Sequence, residues 1–512
     1  MTNANLLESR RHIQINVVTT YLARFSNILG LFLLFPIVAR SVGPTSYGLY
    51  LLIASVATLV QMDLGMASAT IRFIAANYVA GSMDKVRRVI ASSTWFFLGL
   101  AIICGLVFAA IFTLFWNSFA IPEALRDDAI ALIALGAIQI FFGLSTSIHR
   151  QILAGVGSLN TANMVQFAQL LLRIALTIGV LAAGFGLIGV GVADTIAVVG
   201  GSAAAWLIRR RRFPDTNSRL TNGSFAVFKE MFRLNLDLLF LSVAALIVLQ
   251  SSNLVISLTL PIAAVAVFGA GYRCYQVCRE ITNSLTQALL PVASAHHSQG
   301  RMDKSQDLYL SGTKWANGLL LLIVVPVFVF AQQFLNAWVG SALAAGFIVA
   351  QVLLISLIAN NNHLIAIPIL TGQGKVSGYA ILHTIWAASS IGLGFLLSPL
   401  LGVIGMAIAV AGPITIMEPI YVGIALKRLH LKWRDFLVAV ALPSLLPGLV
   451  LGGALFGLSH LVGVANDDFV TSLCWSAGWA VIYSVVFIFL ATSRHERAQY
   501  LRREPRSQKA NT

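Results

Sequence analysis

Charge is what this sequence lacks. Aspartate, glutamate, lysine and arginine together make up 10% of its 512 residues, against about 25% in a soluble globular domain. That leaves too little polar side chain to coat a water-soluble globule of this length. Acids are the scarcer sign, 19 against 34 lysines and arginines, for a formal net charge of +15. Cysteine is scarce too: Cys104, Cys274, Cys278 and Cys474 are the whole complement, all in or beside apolar runs. Cys274 and Cys278 share a helical face, but no second Cys/His pair with zinc spacing accompanies them. They read as free thiols, and no metal is expected. Nucleotide signatures are missing in any usable context. "GFGLIG" (184–189) follows no strand and falls in a short loop between two apolar segments. "GQGKVS" (372–377) lacks the first glycine of a phosphate loop and carries Val376 where Ser or Thr is needed. No ATP site and no cofactor are expected. No loop exceeds about thirty residues by the segment reading. That leaves no room for the catalytic clusters of a membrane glycosyltransferase or polymerase, so the chain does not read as an enzyme.

What is abundant is apolar sequence: 58% of residues are hydrophobic and the mean hydropathy is +0.84. Runs of 18 or more apolar residues suit membrane helices, whereas barrel strands are shorter and alternate. Fourteen segments are expected, at 13–39, 46–66, 89–115, 127–148, 161–183, 186–208, 232–257, 262–290, 315–334, 344–368, 376–397, 401–425, 436–458 and 470–491. The first run, after "ESRRHIQIN", is too long for a signal peptide and lacks a small-residue cleavage site, so it reads as a retained helix. The sequence therefore predicts an all-α polytopic membrane protein.

The cations orient it. They gather at Arg10 and Arg11, then at Lys85, Arg87 and Arg88, Arg150, Arg209 to Arg212, Arg301 and Lys304, Lys375, and Lys427 to Arg434, in every second loop. The tail "SRHERAQYLRREPRSQK" is basic as well, while the intervening loops are neutral or acidic. This positive-inside pattern puts both termini in the cytoplasm and requires an even helix count. The surplus charge is thus topology signal plus attraction to anionic lipid heads; no nucleic acid partner is expected.

The chain also repeats itself. "GSMDK" (81–85) recurs as "GRMDK" (300–304), "ILAGVG" (152–157) as "ILTGQG" (369–374), and "GLIG" (186–189) as "GVIG" (402–405). The offsets are 219, 217 and 216, in order, and each pair falls at the same place among the segments. Two six-helix lobes follow, 1–210 and 226–430, joined by a polar cytoplasmic linker at 211–225. An even number per lobe makes the repeat parallel, an architecture that transporters use. An added pair of segments occupies 431–492, and 493–512 forms the basic tail.

Ionisable residues at membrane depth are costly and usually functional or paired. Arg24, Arg173 and Arg273 lie near mid-span, and Arg72 and Arg279 closer to the ends. The acids are Asp63, Asp194, Asp237 and Glu418. Two readings stand for Arg24, Arg173 and Arg273. They form structural pairs with Asp194 or Glu418, or they line a cationic chamber whose guanidinium forks match phosphate oxygens. Asp194, Glu418 and Asp63 are candidate coupling or structural acids, although Asp194 and Glu418 are not at aligned repeat positions. "NNNH" (360–363) either breaks its helix or meets sugar hydroxyls. Pro36, Pro368, Pro413 and Pro419 are expected to kink their spans.

The stretch "ARSVGPTSYGLYLLIASVATLVQMDLGMASATIRFIA" (39–75) resembles the signature of the polysaccharide transporter family. That family includes the O-antigen and exopolysaccharide repeat-unit flippases of the multidrug/oligosaccharidyl-lipid/polysaccharide (MOP) superfamily. The matching residues are Ala39 and Arg40, Gly43 and Pro44, Tyr47 and Gly48, and Asp63, Leu64 and Gly65. The resemblance implies a MATE-like, V-shaped, two-lobe fold in a bacterial cytoplasmic membrane. Its implied cargo is an undecaprenyl-diphosphate-linked oligosaccharide, moved from the inner to the outer leaflet for O-antigen, capsule or exopolysaccharide. Lipid II flippases of the superfamily carry cavity arginines on their first and eighth helices; Arg24 and Arg273 occupy comparable helices. Expected partners are that lipid-linked substrate, membrane lipids, and polysaccharide polymerase and export proteins. The alternative is an ion-coupled multidrug exporter on the same fold.

Overall fold

The computed structural model describes residues 10–233, 236–462 and 469–491. Among them there is helix and turn but no strand. Eleven helices are long and apolar enough to cross a membrane, and Leu246–Thr259 is a shorter apolar helix. The first two expected segments are the two arms of α1 (Arg10–Val60), separate helices that meet at a kink at Gly43 (φ 82°, ψ 165°). Only glycine reaches that conformation freely, and Pro44 then starts the second arm, where its missing N–H costs nothing. The basic tail at 493–512, and Asp467 and Asp468, lie outside the described residues.

One compact unit comprises the chain up to Ala270 together with His383–Val410. In it α1 is followed by α2 (Met66–Val79), α3 (Met83–Leu114), α4 (Arg126–Ser145), α5 (Ser147–Gly155), α6 (Leu159–Ala182) and α7 (Gly186–Arg212). Next come a short amphipathic helix α8 (Phe225–Arg233) and α9 (Leu236–Thr259). The core is close-packed enough that backbone meets backbone: a Cβ on Gly48 of α1 would lie 2.2 Å from the Ile262 carbonyl oxygen. The linker is not a free tether. Ser218 Oγ donates to the Arg87 carbonyl at 2.7 Å, and the Ser224 N–H donates to Ser92 Oγ at 2.9 Å. Met231 of α8 is buried with Ile74, Val86, Val89, Ile90 and Phe97 of α2 and α3, and Phe228 stacks on Phe96. Burying one apolar face of α8 fixes residues 213–233 along α3.

The other unit comprises Gly271–Leu382 and the chain from Ala411 onward. The helix α10 (Ala263–Ser298) leads into α11 (Met302–Val329), α12 (Ala331–Val339), α13 (Ser341–Ala344), α14 (Phe347–Leu364) and α15 (Ala366–Gly372). After these come α16 (Ser377–Leu401), α17 (Val403–Arg428), α18 (Trp433–Phe436), a π-helical turn at Leu437–Ala441, α19 (Leu442–Leu461) and α20 (Phe469–Ala491). The last two helices, expected as an added pair, pack on α11. Leu321, Val325 and Val329 of α11 cluster with Leu455 of α19 and with Trp479, Tyr483 and Phe487 of α20.

The repeated peptides are repeated turns. Gly81 (φ 70°) and Gly300 (φ 66°) are both left-handed. The bonds match as well: Ser82 N–H to Asn77 carbonyl and Arg301 N–H to His296 carbonyl, 2.9 and 3.0 Å. At the second pair, Gly157 (φ 87°) and Gly374 (φ 67°) end α5 and α15, and Ser158→Leu153 and Lys375→Leu370 backbone bonds are both 2.8 Å. These six-residue N–H to C=O closures around a left-handed glycine are Schellman ends. Gly186 (φ 58°) and Gly402 (φ 62°) make the third pair.

α17 continues as helix through Pro413 and Pro419, and Pro368 stands in the first turn of α15, where proline is tolerated. The "NNNH" residues end inside α14, and the helix breaks two residues later at Ile365.

Candidate functional site

Each unit holds a polar cluster at membrane depth. In the first, α6 and α7 are antiparallel neighbours joined by the tight turn at Gly184. Arg173 and Asp194 lie eleven residues before and ten after that glycine, so the hairpin brings them to one level. Arg173 donates from Nε to Asp194 Oδ1 at 2.6 Å and from Nη2 to Oδ2 at 3.0 Å. Tyr50 of α1 donates its hydroxyl to Asp194 Oδ2 and accepts from Arg173 Nη2 at 2.8 Å. The bidentate fork satisfies both charges inside protein. Of the two sequence readings of Arg173, the paired one is the arrangement found here. At the position one repeat later, Val410, there is no acid; its carbonyl accepts from Trp386 Nε1 at 2.8 Å.

Glu418 of α17 meets His363 of α14, Nδ1 to Oε2 at 2.6 Å, with both side chains almost fully buried. Tyr421 stacks on the imidazole with centroids 4.3 Å apart, and Tyr379 meets it edge-on. Two of the three asparagines beside it, Asn361 and Asn362, join a polar network. Asn361 donates to Asn317 Oδ1 at 2.7 Å, and Asn317 donates to Asn362 Oδ1 and to Ser444 Oγ at 2.9 and 3.1 Å. Tyr309 donates to the Asn362 carbonyl at 3.2 Å. This network ties α11, α14 and α19 together through polar groups.

Asp63 ends the first arm of the signature peptide. Its carboxylate accepts from the Gly65 N–H at 3.2 Å and the Ala67 N–H at 3.1 Å, while Leu64 (φ 51°) and Gly65 (φ 74°) are left-handed. The Asp-Leu-Gly triplet is therefore a helix break within the second segment, with the acid capping α2.

Arg273 stands differently. On α10 it is part-exposed and its Nη1 donates to the neutral Gln276 Oε1 at 2.6 Å. No carboxylate among the described residues forms an ion pair with it or with Arg279. Cys274 and Cys278 are buried on the same helix and form no disulfide. The side chains of Arg24 and Asp237 lie outside the described residues, and Arg72 is exposed. Among the described residues no group of three His, Cys, Asp or Glu is placed to hold a metal.

Sequence reasoning named Arg173, Asp194 and Glu418 but missed Tyr50, Gln276 and the His363–Glu418 pairing. The hairpin register could have matched Arg173 to Asp194. No such signal links His363 to Glu418, which stand 55 residues apart.

Buried charges held in a bundle of membrane helices define a multi-pass membrane protein with a transporter fold. The sequence matches the family described as "Polysaccharide biosynthesis protein" over residues 15–297. The chain belongs to that family. Solved structures share the fold. One is an inward-facing multidrug resistance MATE family transporter of the MOP superfamily, with TM-score 0.67, 18% identity, and 80% of this chain and 94% of that one covered. Another is MATE in complex with MaL6, with TM-score 0.60, 20% identity and coverage of 84% and 99%. A MOP superfamily transporter from Pyrococcus furiosus, whose binding pocket is described as having reverse polarity, aligns with TM-score 0.55, 19% identity and coverage of 84% and 95%. No curated protein matches the sequence.

Proposed function

We propose that this MOP-type transporter is a flippase for an undecaprenyl-diphosphate-linked oligosaccharide, working by alternating access in a bacterial cytoplasmic membrane with both termini cytoplasmic. The observation that carries this reading is the sign of the uncommitted charge. Asp194, Glu418 and Asp63 are each engaged by a protein donor, whereas among the described residues Arg273 meets only a neutral amide. A cation left open at membrane depth favours an anionic cargo, and membership of a polysaccharide biosynthesis family agrees with a glycan-bearing one. Arg273 and, on α1, Arg24 are assigned to the diphosphate; Arg173 is assigned to holding α1, α6 and α7 together. A potential that is negative inside assists outward movement of an anion by roughly 2.3 kcal/mol per charge per 100 mV. The polymerase and export proteins of the same glycan pathway are the proposed downstream partners. No covalent step is assigned to the chain.

The test is deletion of the encoding gene followed by complementation. Deletion should trap lipid-linked oligosaccharide in the inner leaflet, and wild type should release it. A charge-assisted hydrogen bond contributes about 1.5–3 kcal/mol, so Arg273→Ala should reduce glycan export about 10- to 100-fold, with Arg273→Lys partly restoring it. Full export by both Arg24→Ala and Arg273→Ala removes the anion-binding roles. Unchanged glycan in the deletion strain together with lost efflux of cationic dyes would favour the drug exporter.

A further inference from the structure

The peptide "GQGKVS" fails as a nucleotide loop, yet the structure gives its lysine a setting. A cavity of about 480 Å³ opens where α16 begins and α17 ends, lined by Lys375, Gly378, Ile424, Lys427, Arg428 and His430. Four of these six are basic and none is acidic. All four are exposed, and no carboxylate of the described residues pairs with them. Their backbones are fixed. Lys375 follows the left-handed Gly374 and closes α15 through its N–H to the Leu370 carbonyl, 2.8 Å. His430 is itself left-handed (φ 54°). Leu431 closes α17 onto the Leu426 carbonyl at 2.9 Å, and Gln306 of α11 pins the Leu429 carbonyl at 2.7 Å. The four basic residues therefore border one space from two rigid turns.

We propose that this cavity is a headgroup site for an anionic phospholipid, taking its phosphodiester among Lys375, Lys427, Arg428 and His430. The depth fits: Ser377–Leu401 and Val403–Arg428 are both long and apolar enough to cross a membrane, and the cavity lies at their shared end. Trp433, half exposed, packs 3.6 Å from the space a Cβ would fill on Gly423, and tryptophan favours the headgroup level. An apolar track leads away from the cavity. Ile424, Ile420 and Ile416 follow one another at helical spacing along α17, with Ile420 51% and Ile416 78% exposed, and Ile381 is exposed on α16 one turn beyond Gly378. A free phosphate has no use for that track, whereas an acyl chain does. Basic pockets between membrane helices are known as lipid headgroup sites. The proposal does not depend on the cargo.

The full chain, purified in detergent, is mixed with phosphatidylglycerol or phosphatidylcholine, and bound lipid is counted by native mass spectrometry. Phosphatidylglycerol should be retained in preference. Each cation removed should weaken retention about fivefold, so Lys427→Gln with Arg428→Gln should weaken it about 25-fold. Gly378→Leu should do so with every charge intact, because the new side chain fills the cavity. Lys375→Gln, at an exposed residue, tests the same point should the double variant not fold. Equal retention of the two lipids, or unchanged retention in Lys375→Gln and Gly378→Leu, overturns the proposal. So does displacement of the lipid by an equal concentration of soluble glycerol phosphate, which would mark a free-phosphate site.

Discussion

At the scale of the residue, the hydrocarbon region tolerates Arg173 and Asp194 because each answers the other and Tyr50 bonds to both. Removing one partner of a buried pair costs about 3–5 kcal/mol, while replacing both with apolar side chains is often neutral. Arg173 is 29% exposed along its side chain, which places Asp194→Asn toward the lower end of that range. Asp194→Leu combined with Arg173→Met should recover most of the loss. Chemical denaturation in mild detergent measures both; equal losses from the single and double variants would contradict the account. This pair was half legible beforehand, since the two charges stand at matched distances from a turn glycine. His363 was legible only as part of an asparagine run, because contacts between helices distant in sequence leave no periodic trace.

At the scale of the element, the three residues Asp63, Leu64 and Gly65 close the second expected span and start α2 at Met66, in a stretch where no segment was expected. Left-handed backbone at Leu64 and Gly65 stops the helix, and the Asp63 carboxylate restarts it by accepting two amide protons. Asp63→Ala should cost about 1 kcal/mol, the usual loss for a cap. Gly65→Ala should cost about 1–2 kcal/mol through the left-handed conformation alone. Thermal unfolding of the two variants separates the causes: Asp63→Asn, which can still accept, should retain most of the stability that Asp63→Ala loses. The signature could be read as a signature, but not as a break, since hydropathy runs unbroken through Leu64 and Met66. The docking of α8 was hidden for the opposite reason. Nine residues are too few for a span, and a polar linker composition masks the apolar face that Met231 buries.

At the scale of the whole molecule, the repeat was the most legible feature. Glycine-centred turns carry their conformation in the residue type itself, so matching peptides gave matching geometry at Gly81 and Gly300 and at Gly157 and Gly374. The number of spans was less legible: the described residues hold eleven helices long and apolar enough to cross a membrane, against fourteen expected segments. The charge pattern makes a global prediction. Ser82→Cys and Arg301→Cys should react with a membrane-impermeant maleimide from one face of the membrane, the cytoplasmic one, and Glu123→Cys from the other. Labelling of Ser82→Cys and Arg301→Cys from opposite faces would require an odd number of crossings between them and would break the parallel-repeat reading.

The salt bridge between neighbouring antiparallel helices also bears on biogenesis. An arginine at the centre of a lone helix resists partition into lipid by about 2.5–3.5 kcal/mol. When Arg173 of α6 leaves the ribosome, its neutralising carboxylate, 21 residues downstream, is still inside the exit tunnel. The two helices are therefore best delivered to the bilayer as a hairpin, and the glycine turn that joins them sets how long the translocon must hold the first one back.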